Sequence, residues 1–144
     1  MLSRFLVVFA VLISCALTGC GDGRPDRVPV SGRVMLDGKP LTRGYIRVVP
    51  SEARSSGGPI DSNGRFVLGT YEPDDGCVVG THRVEVCSNE PRGGDLFWYA
   101  PKKYANIETS EITVTIAEPT TDLQVDISWS GGRPFLEKGL GGPE

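Results

Sequence analysis

The middle of the chain carries three side chains of the kind that bind metals, at equal spacing: Cys77, His82 and Cys87. Thiolate and imidazole groups are common ligands of structural zinc, which takes four ligands in a tetrahedron. However, residues 81–87 (THRVEVC) alternate between polar and apolar types, which predicts a β-strand. Successive side chains of a strand point to opposite faces, so His82 and Cys87 could not bind the same ion. We therefore predict no metal site and no cofactor.

Cys77 and Cys87 could instead form a disulfide if the protein is exported from the reducing cytosol. A strand from Gly80 to Cys87 spans ~23 Å. The three residues before it can return only ~10 Å, whereas a disulfide needs its α-carbons within ~7 Å. The bond contradicts the predicted strand unless that strand starts late, and the pairing stays open.

Carboxylates gather in a second region, where Asp61 and Glu72 are spaced like the two ends of a calcium-binding loop. Such a loop needs glycine at its sharp turn, but Phe66 occupies that position and begins a strand pattern. A β-turn that starts at Asp61 is the better interpretation. Glu72, Asp74 and Asp75 could bind a divalent cation weakly, although a hydrated acidic loop is the simpler explanation.

Neither catalysis nor nucleic-acid binding finds support in the sequence. The Gly-x-Ser-x-Gly motif of serine hydrolases is absent, and the single histidine, His82, lies in a strand pattern beside Arg83. We expect His82 at the surface or at a sheet margin, and we predict that the protein is not an enzyme. The formal net charge of −3 argues against nucleic acid, which binds basic surfaces.

The candidate binding surface lies in a long loop predicted for residues 89–110. Loops of this length are often functional or packed by their own side chains. Trp98 and Tyr104 could close one end of the fold. Alternatively, the aromatic side chains could bind a protein or stack on a sugar ring, or Phe97 and Trp98 could enter a lipid interface. The surface comprises Phe97, Trp98, Tyr99, Lys102, Lys103 and Tyr104.

β-Strands are the elements that would position these residues. The first two predicted strands are separated by Asp37-Gly38-Lys39-Pro40, which predicts a hairpin between them, and Asn63-Gly64 predicts a further tight turn. No window has helical spacing of apolar residues over three turns. We therefore predict an all-β, antiparallel sandwich of six or seven strands. The strands are predicted at residues 28–36, 45–49, 65–71, 81–87, 112–116 and 123–129.

Alternate apolar residues of these strands should face the core. Residues 130–144 contain five glycines and two prolines without periodicity, and are predicted to form a flexible tail. The predicted core comprises Val34, Leu36, Ile46, Val48, Phe66, Leu68, Val84, Val86, Val114, Ile116, Val125 and Ile127.

The N-terminus predicts export and lipid anchoring. A short start with Arg4 precedes an apolar run at residues 5–16, which is shorter than the ~20 residues of a membrane-spanning helix and indicates a signal peptide. Leu17-Thr18-Gly19-Cys20 follows and resembles the lipobox of bacterial lipoproteins. The resemblance implies that residues 1–19 are removed and that Cys20 is acylated, which would hold the protein on a bacterial membrane. Residues 20–27 would then form a short tether to a domain at residues 28–129.

Four segments carry a resemblance to a family of domains: Val30-Ser31-Gly32-Arg33-Val34, Leu36-Asp37-Gly38-Lys39-Pro40-Leu41, Asp61-Ser62-Asn63-Gly64-Arg65-Phe66 and Pro101-Lys102-Lys103-Tyr104. They resemble small bacterial lipoproteins with a carboxypeptidase regulatory-like, or transthyretin-like, domain. The resemblance covers about residues 28–129. It implies a Greek-key sandwich of about seven strands, transthyretin-like or immunoglobulin-like, without an active site. An enzymatic branch of this fold, hydroxyisourate hydrolase, uses several histidines, whereas this chain has His82 alone.

Two functions are consistent with these features as hypotheses. The first is a lipid-anchored, non-enzymatic structural or adaptor module of the cell envelope that binds another envelope protein. The alternative is a glycan-binding module for cell-wall or extracellular polysaccharide. Both would use the aromatic residues of the predicted loop.

Overall fold

The computed structural model describes residues 22–139. The predicted signal peptide, the predicted lipidation site at Cys20 and the last five residues of the predicted tail lie outside this range. The prediction of an all-β chain is confirmed for the described residues, whose only helical element is a 3₁₀ turn at Lys102–Ala105. Within residues 22–139, no helix combines the length and the apolar character that crossing a membrane requires. The strands are β1 Val30–Leu36, β2 Lys39–Pro40, β3 Gly44–Val49, β4 Ser56–Ile60, β5 Arg65–Val67, β6 Gly80–Cys87, β7 Asn89–Arg92, β8 Asp95–Trp98, β9 Ile112–Ile116, β10 Thr120–Ile127 and β11 Phe135–Glu137.

The first sheet is built around β1 and is only partly antiparallel. β1 pairs in parallel with β10, from Val30 opposite Thr120 to Leu36 opposite Ile127. On its other edge it pairs antiparallel with two short strands, β2 and β5. The prediction of a wholly antiparallel sandwich is therefore wrong at the β1–β10 pair. Strands so far apart in the sequence share no turn that would indicate their relative direction.

The predicted hairpin between the first two long strands is also wrong. Asp37 and Gly38 both have positive φ angles, 49° and 78°, and turn the chain tightly. That turn brings back only the two residues of β2 alongside β1. Leu41 follows and is buried. The chain then crosses to the second sheet, where β3 lies between β4 and β6 and β9 forms the far edge.

The first and second sheets share one buried cluster, as in a β-sandwich. Ten of the twelve predicted core residues are buried, while Leu36 and Val114 are partly buried against the same cluster. The core also contains residues that the prediction omitted: Val30, Leu41, Ile60, Cys77, Ala100 and Tyr104.

The third sheet is formed by segments that the sequence analysis assigned to a loop and a tail. β7 and β8 make a hairpin inside the predicted loop. β11 pairs antiparallel with β8, with Phe135 opposite Trp98 and Glu137 opposite Leu96. Part of the predicted flexible tail is therefore a strand. This strand contains two apolar residues, Phe135 and Leu136, that can pack, whereas the glycine-rich residues around it have no such side chains.

The chain approaches the sandwich at what we term the near end. The guanidinium carbons of Arg24 and Arg27 lie 4.6 and 4.8 Å from the ring centroid of Tyr71. Arg27 Nε also lies 3.2 Å from Asp75 Oδ2. The second half of the predicted tether thus lies against the body before Val28, which forms a bridge with Cys77.

The third sheet lies at the opposite, far end. β1 runs from Val30 near the tether to Leu36, a rise of ~20 Å. At its end, Asp37 accepts hydrogen bonds from the Ser128 hydroxyl at 2.6 Å and from Trp129 N at 3.3 Å. The Trp129 ring contacts that of Phe135 in β11, with centroids 6.4 Å apart. The length of the sandwich therefore separates the tether from the third sheet.

Candidate functional site

A two-glycine turn creates the hairpin that carries the candidate site. Gly93 and Gly94 have φ angles of 57° and 91°, and positive φ at both turn positions suits the twist of a hairpin. Arg92 pairs with Asp95, and Glu90 pairs with Phe97. Since side chains alternate across a strand, Glu90, Arg92 and Phe97 lie on one face of the sheet.

Five side chains on this face form what we term the outer cluster: Arg43, Glu90, Arg92, Phe97 and Tyr99. The rings of Phe97 and Tyr99 meet edge to face, with centroids 4.9 Å apart. The guanidinium carbon of Arg92 lies 4.0 Å from the Phe97 centroid, and that of Arg43 lies 4.4 Å from the Tyr99 centroid. A cation thus covers one side of each aromatic ring, an arrangement favoured by the negative ring face.

Glu90 holds the two arginines of the outer cluster in place. Its carboxylate accepts hydrogen bonds from Arg43 Nη1 at 3.0 Å, from Arg92 Nε at 2.9 Å and from the Tyr99 hydroxyl. Arg92 Nη2 also donates to the Tyr99 hydroxyl at 2.7 Å. The hydrogen bond from Tyr99 is the strongest cause that lowers the pKa of Glu90, and the hydrogen bond from Arg92 is the second, so the carboxylate is charged at neutral pH. With two guanidiniums and one carboxylate, the cluster is locally positive.

The inner face of the same sheet holds Trp98, which is 5% exposed. Its ring stacks on Phe135 of β11, with centroids 6.4 Å apart and planes at 16°. Its Nε1 donates to Glu137 Oε2 at 2.8 Å, and the Lys102 ammonium donates to the other carboxylate oxygen. These two hydrogen bonds, the one from Lys102 being the stronger cause, lower the pKa of Glu137.

The structure divides the six residues of the predicted binding surface. Trp98 and Tyr104 are 5% and 7% exposed and therefore belong to the packed interior, in agreement with the alternative that they close one end of the fold. They are buried because alternation in β8 turns Trp98 inward and the 3₁₀ turn places Tyr104 against the core. Lys102 is paired with Glu137, and the Lys103 ammonium lies 4.8 Å from the Tyr104 ring centroid. Only the other two aromatic residues, Phe97 and Tyr99, contribute to the outer cluster.

Sequence analysis did not find the charged members of the outer cluster. Arg43 comes from the connection before β3 and lies 47 residues from its partner Glu90. Only the fold brings them together, so no local pattern could indicate the pair. The alternation of Glu90 and Arg92 before Gly93-Gly94 was a usable hairpin signal.

Cys77 and His82 are both buried and lie close together in the core. His82 is 1% exposed, which corrects the prediction of a surface position. Its Nε2 lies 2.8 Å from the Val78 carbonyl oxygen and 3.8 Å from Cys77 Sγ. Cys87 is half-buried elsewhere, and both cysteines are free thiols, so the alternative of a Cys77–Cys87 disulfide is not realised. Burial raises the pKa of the Cys77 thiol. Among residues 22–139, no three His, Cys, Asp or Glu side chains are grouped to hold an ion.

Two of the four carboxylates of the acidic region, those of Asp61 and Asp75, bind backbone amides. Asp61 Oδ1 accepts hydrogen bonds from Asn63 N at 2.8 Å and Arg65 N at 2.9 Å, which fits the predicted turn. Asp75 accepts hydrogen bonds from the backbone of Thr70 and Tyr71, and these lower its pKa although burial acts in the opposite direction.

A shallow cavity of about 270 Å³ opens beside β4, on the near side of the molecule. Tyr45 and Tyr71 line it together with Glu72 and Asp74. Tyr45 is 49% exposed, and its ring covers Gly57 so closely that a Cβ there would lie 2.7 Å from it. Tyr45 is thus an aromatic side chain that faces solvent outside the third sheet.

Comparison of the chain with protein-family models, with curated proteins and with solved structures found no match.

Proposed function

We propose that the protein is a lipid-anchored module of the bacterial cell envelope that binds another envelope protein through the outer cluster. In this proposal residues 1–19 are removed, Cys20 is acylated, and the body is a non-enzymatic Greek-key sandwich of the transthyretin-like or immunoglobulin-like kind. The resemblance of the N-terminus to a lipobox supports the anchor. The shared core of two sheets supports the sandwich.

The observation that carries the proposal is the composition and order of the outer cluster. Tyrosine, phenylalanine and arginine are enriched in protein interfaces, and tyrosine and arginine dominate their binding energy. Here Glu90 fixes both guanidiniums against the rings, so little side-chain entropy would be lost on binding. The locally positive cluster suits a partner with carboxylates on its surface.

The position of the outer cluster favours a protein over a lipid surface. The chain leaves the body at the near end, ~20 Å along β1 from the far end. A tether that ends beside Tyr71 would therefore place the near end at the membrane and direct the outer cluster away from it. The alternative in which Phe97 and Trp98 enter the lipid interface has no support in this arrangement.

A glycan-binding function is the second candidate, and the cavity beside β4 favours it more than the outer cluster does. Sugars stack on open aromatic faces, and a guanidinium already covers one face of Phe97 and of Tyr99. Tyr45 has an open side in a cavity that also holds Glu72 and Asp74, whose oxygens could accept hydrogen bonds from sugar hydroxyls.

The test is photo-crosslinking in cells with a benzophenone amino acid in place of Phe97. The comparison variant carries the same probe in place of Val67, which is 42% exposed on β5 and lines the cavity beside β4, so it reports on the second candidate site and not on the outer cluster. We expect one dominant protein adduct from the Phe97 probe, and its loss when Arg43 and Arg92 are both replaced by glutamate. Capture of lipid or saccharide alone, or the same adduct from the Val67 probe, would refute the proposed interface. Retention on polysaccharide that Tyr45→Ala abolishes would support the second candidate instead.

A further inference from the structure

The C-terminal strand β11 occupies a site with the features of a peptide-recognition groove. β11 pairs with β8 alone, along three residues. Its Phe135 ring lies between two indoles, stacked on Trp98 and edge-on to Trp129, at centroid distances of 6.4 Å each. Added strands on a sheet edge are a common way to recognise an extended peptide, with the side-chain pockets giving specificity.

Two charged contacts fix the register of the added strand. Glu137 accepts hydrogen bonds from Trp98 Nε1 and from the Lys102 ammonium. The next residue, Lys138, pairs with Asp95 Oδ2 at 2.9 Å, and Gly139 N donates to Asp95 Oδ1 at 2.9 Å. The groove thus contacts an aromatic residue, a carboxylate two positions later and a basic residue after it.

The strand that fills the groove is loosely held. Phe135 is 38% exposed and Leu136 42% exposed. A cavity of about 350 Å³ stays open beside the strand, lined partly by Leu96, Trp98 and Lys102. The connection from β10 runs through exposed residues 130–134, including Gly131 with a φ of 88°. A short strand on a glycine-containing connection is suited to leave and return.

We propose that β11 exchanges between copies of this chain, so that residues 135–139 of one copy fill the groove on β8 of another. Every contact made within one copy is reproduced between two, as in domain swapping, so the two arrangements differ mainly in chain entropy. A short flexible linker gives the strand an effective concentration of order millimolar toward its own groove. Exchange therefore becomes appreciable where copies are crowded. This self-association is separate from the binding proposed for the outer cluster.

Disulfide trapping between two variants, each with one introduced cysteine in addition to the buried Cys77, tests the exchange. Leu136→Cys and Phe97→Cys lie opposite each other in the β8–β11 register, within reach of a disulfide. Both full chains carry Cys87→Ser and are mixed in detergent under mild oxidation. We expect a mixed dimer whose yield rises with protein concentration. Its yield should exceed by roughly tenfold the yield obtained when Val67→Cys replaces Leu136→Cys, because Val67 and Leu136 are equally exposed (42%) but Val67 lies outside β11. Mixed dimer at the control level at every concentration would overturn the proposal.

Charge reversal provides the second test and needs no cysteine. Lys102→Glu in one chain and Glu137→Lys in the other each place like charges together within a copy. Exchange between the two chains restores an ion pair in both grooves, because the natural strand of the first chain meets Lys102 of the second and the reversed strand of the second meets the reversed groove of the first. We expect dimers by native mass spectrometry in the mixture at several times the level in either variant alone. Equal dimer levels in all three samples would overturn the proposal. Binding of a foreign peptide of the same pattern, without any exchange between copies, would overturn the assignment of the second copy as occupant.

Discussion

Adjacent residues of β8 should respond differently to the same substitution. Trp98 is 5% exposed, so Trp98→Ala removes a buried indole and leaves a cavity, at a cost of about 3–5 kcal/mol in the free energy of unfolding. Phe97 is half-buried on the outer face. Phe97→Ala should therefore cost about 1 kcal/mol for lost burial and roughly 1 kcal/mol for the lost contact with Arg92.

Urea unfolding followed by far-ultraviolet circular dichroism measures the difference, because the loss of an indole does not affect this signal strongly. With a denaturant dependence of about 1.5 kcal/mol per molar urea, the midpoint should fall by roughly 2–3 M for Trp98→Ala and by roughly 1 M for Phe97→Ala. In a pull-down of the protein that crosslinking identifies, the folded Phe97→Ala protein should already have lost binding. Equal midpoints for the two variants would show that Trp98 is not packed behind β11 and would refute the assignment of the two faces.

Three further results are expected. Gly32→Ala should destabilise the protein by about 3 kcal/mol or more, because the added Cβ would lie 1.9 Å from a backbone oxygen of β10. Gly93→Ala should cost only about 1 kcal/mol, because its Cβ meets no atom within 4 Å. Thermal unfolding of the two variants measures the difference. Iodoacetamide at pH 8, followed by mass spectrometry, should label half-buried Cys87 in the native protein and buried Cys77 only after unfolding; equal labelling rates would contradict the buried position. The lowered pKa of Glu137 means that its contribution to stability is present above the ordinary glutamate pKa and is lost as the pH falls through the folded value. In urea titrations, Glu137→Gln should therefore lose less stability than the natural chain between pH 7 and pH 3. Equal losses of stability in the two proteins would argue against the ion pair.

The core was predictable because burial follows the two-residue period of a strand. Val84 and Val86 illustrate this: they alternate with charged neighbours in β6, and both are completely buried. The same rule applied to Phe97, Trp98 and Tyr99 would have turned Trp98 to the opposite face from its neighbours. Pro91 and the two glycines give the segment a composition typical of loops, which obscures this alternation.

Other features had no local signal. β4 reads Ser-Gly-Gly-Pro-Ile, a composition typical of loops. Its glycines are required by close packing: a Cβ at Gly58 would lie 2.1 Å from the Val67 carbonyl oxygen, and one at Gly57 would collide with the Tyr45 ring. The parallel β1–β10 pair and the ion pair of Arg43 with Glu90 likewise depend on contacts between distant segments. Sequence rules that act over a few residues cannot detect them.

The two faces of the third sheet make the two proposals experimentally separable. Arg92 acts on the outer face through Glu90, Phe97 and Tyr99, and none of these side-chain contacts involves a residue of β11. Glu137 acts on the inner face through Lys102 and Trp98. Reversal of the arginine charges should therefore abolish capture of a partner protein while exchange of β11 continues. Reversal of the Glu137 charge should change the exchange of β11 between copies. The outer cluster should keep its geometry, because β7 and β8 are held together by their own turn and backbone hydrogen bonds. If either reversal affected both processes equally, the sheet would be acting as one surface and the separation of its faces would be wrong.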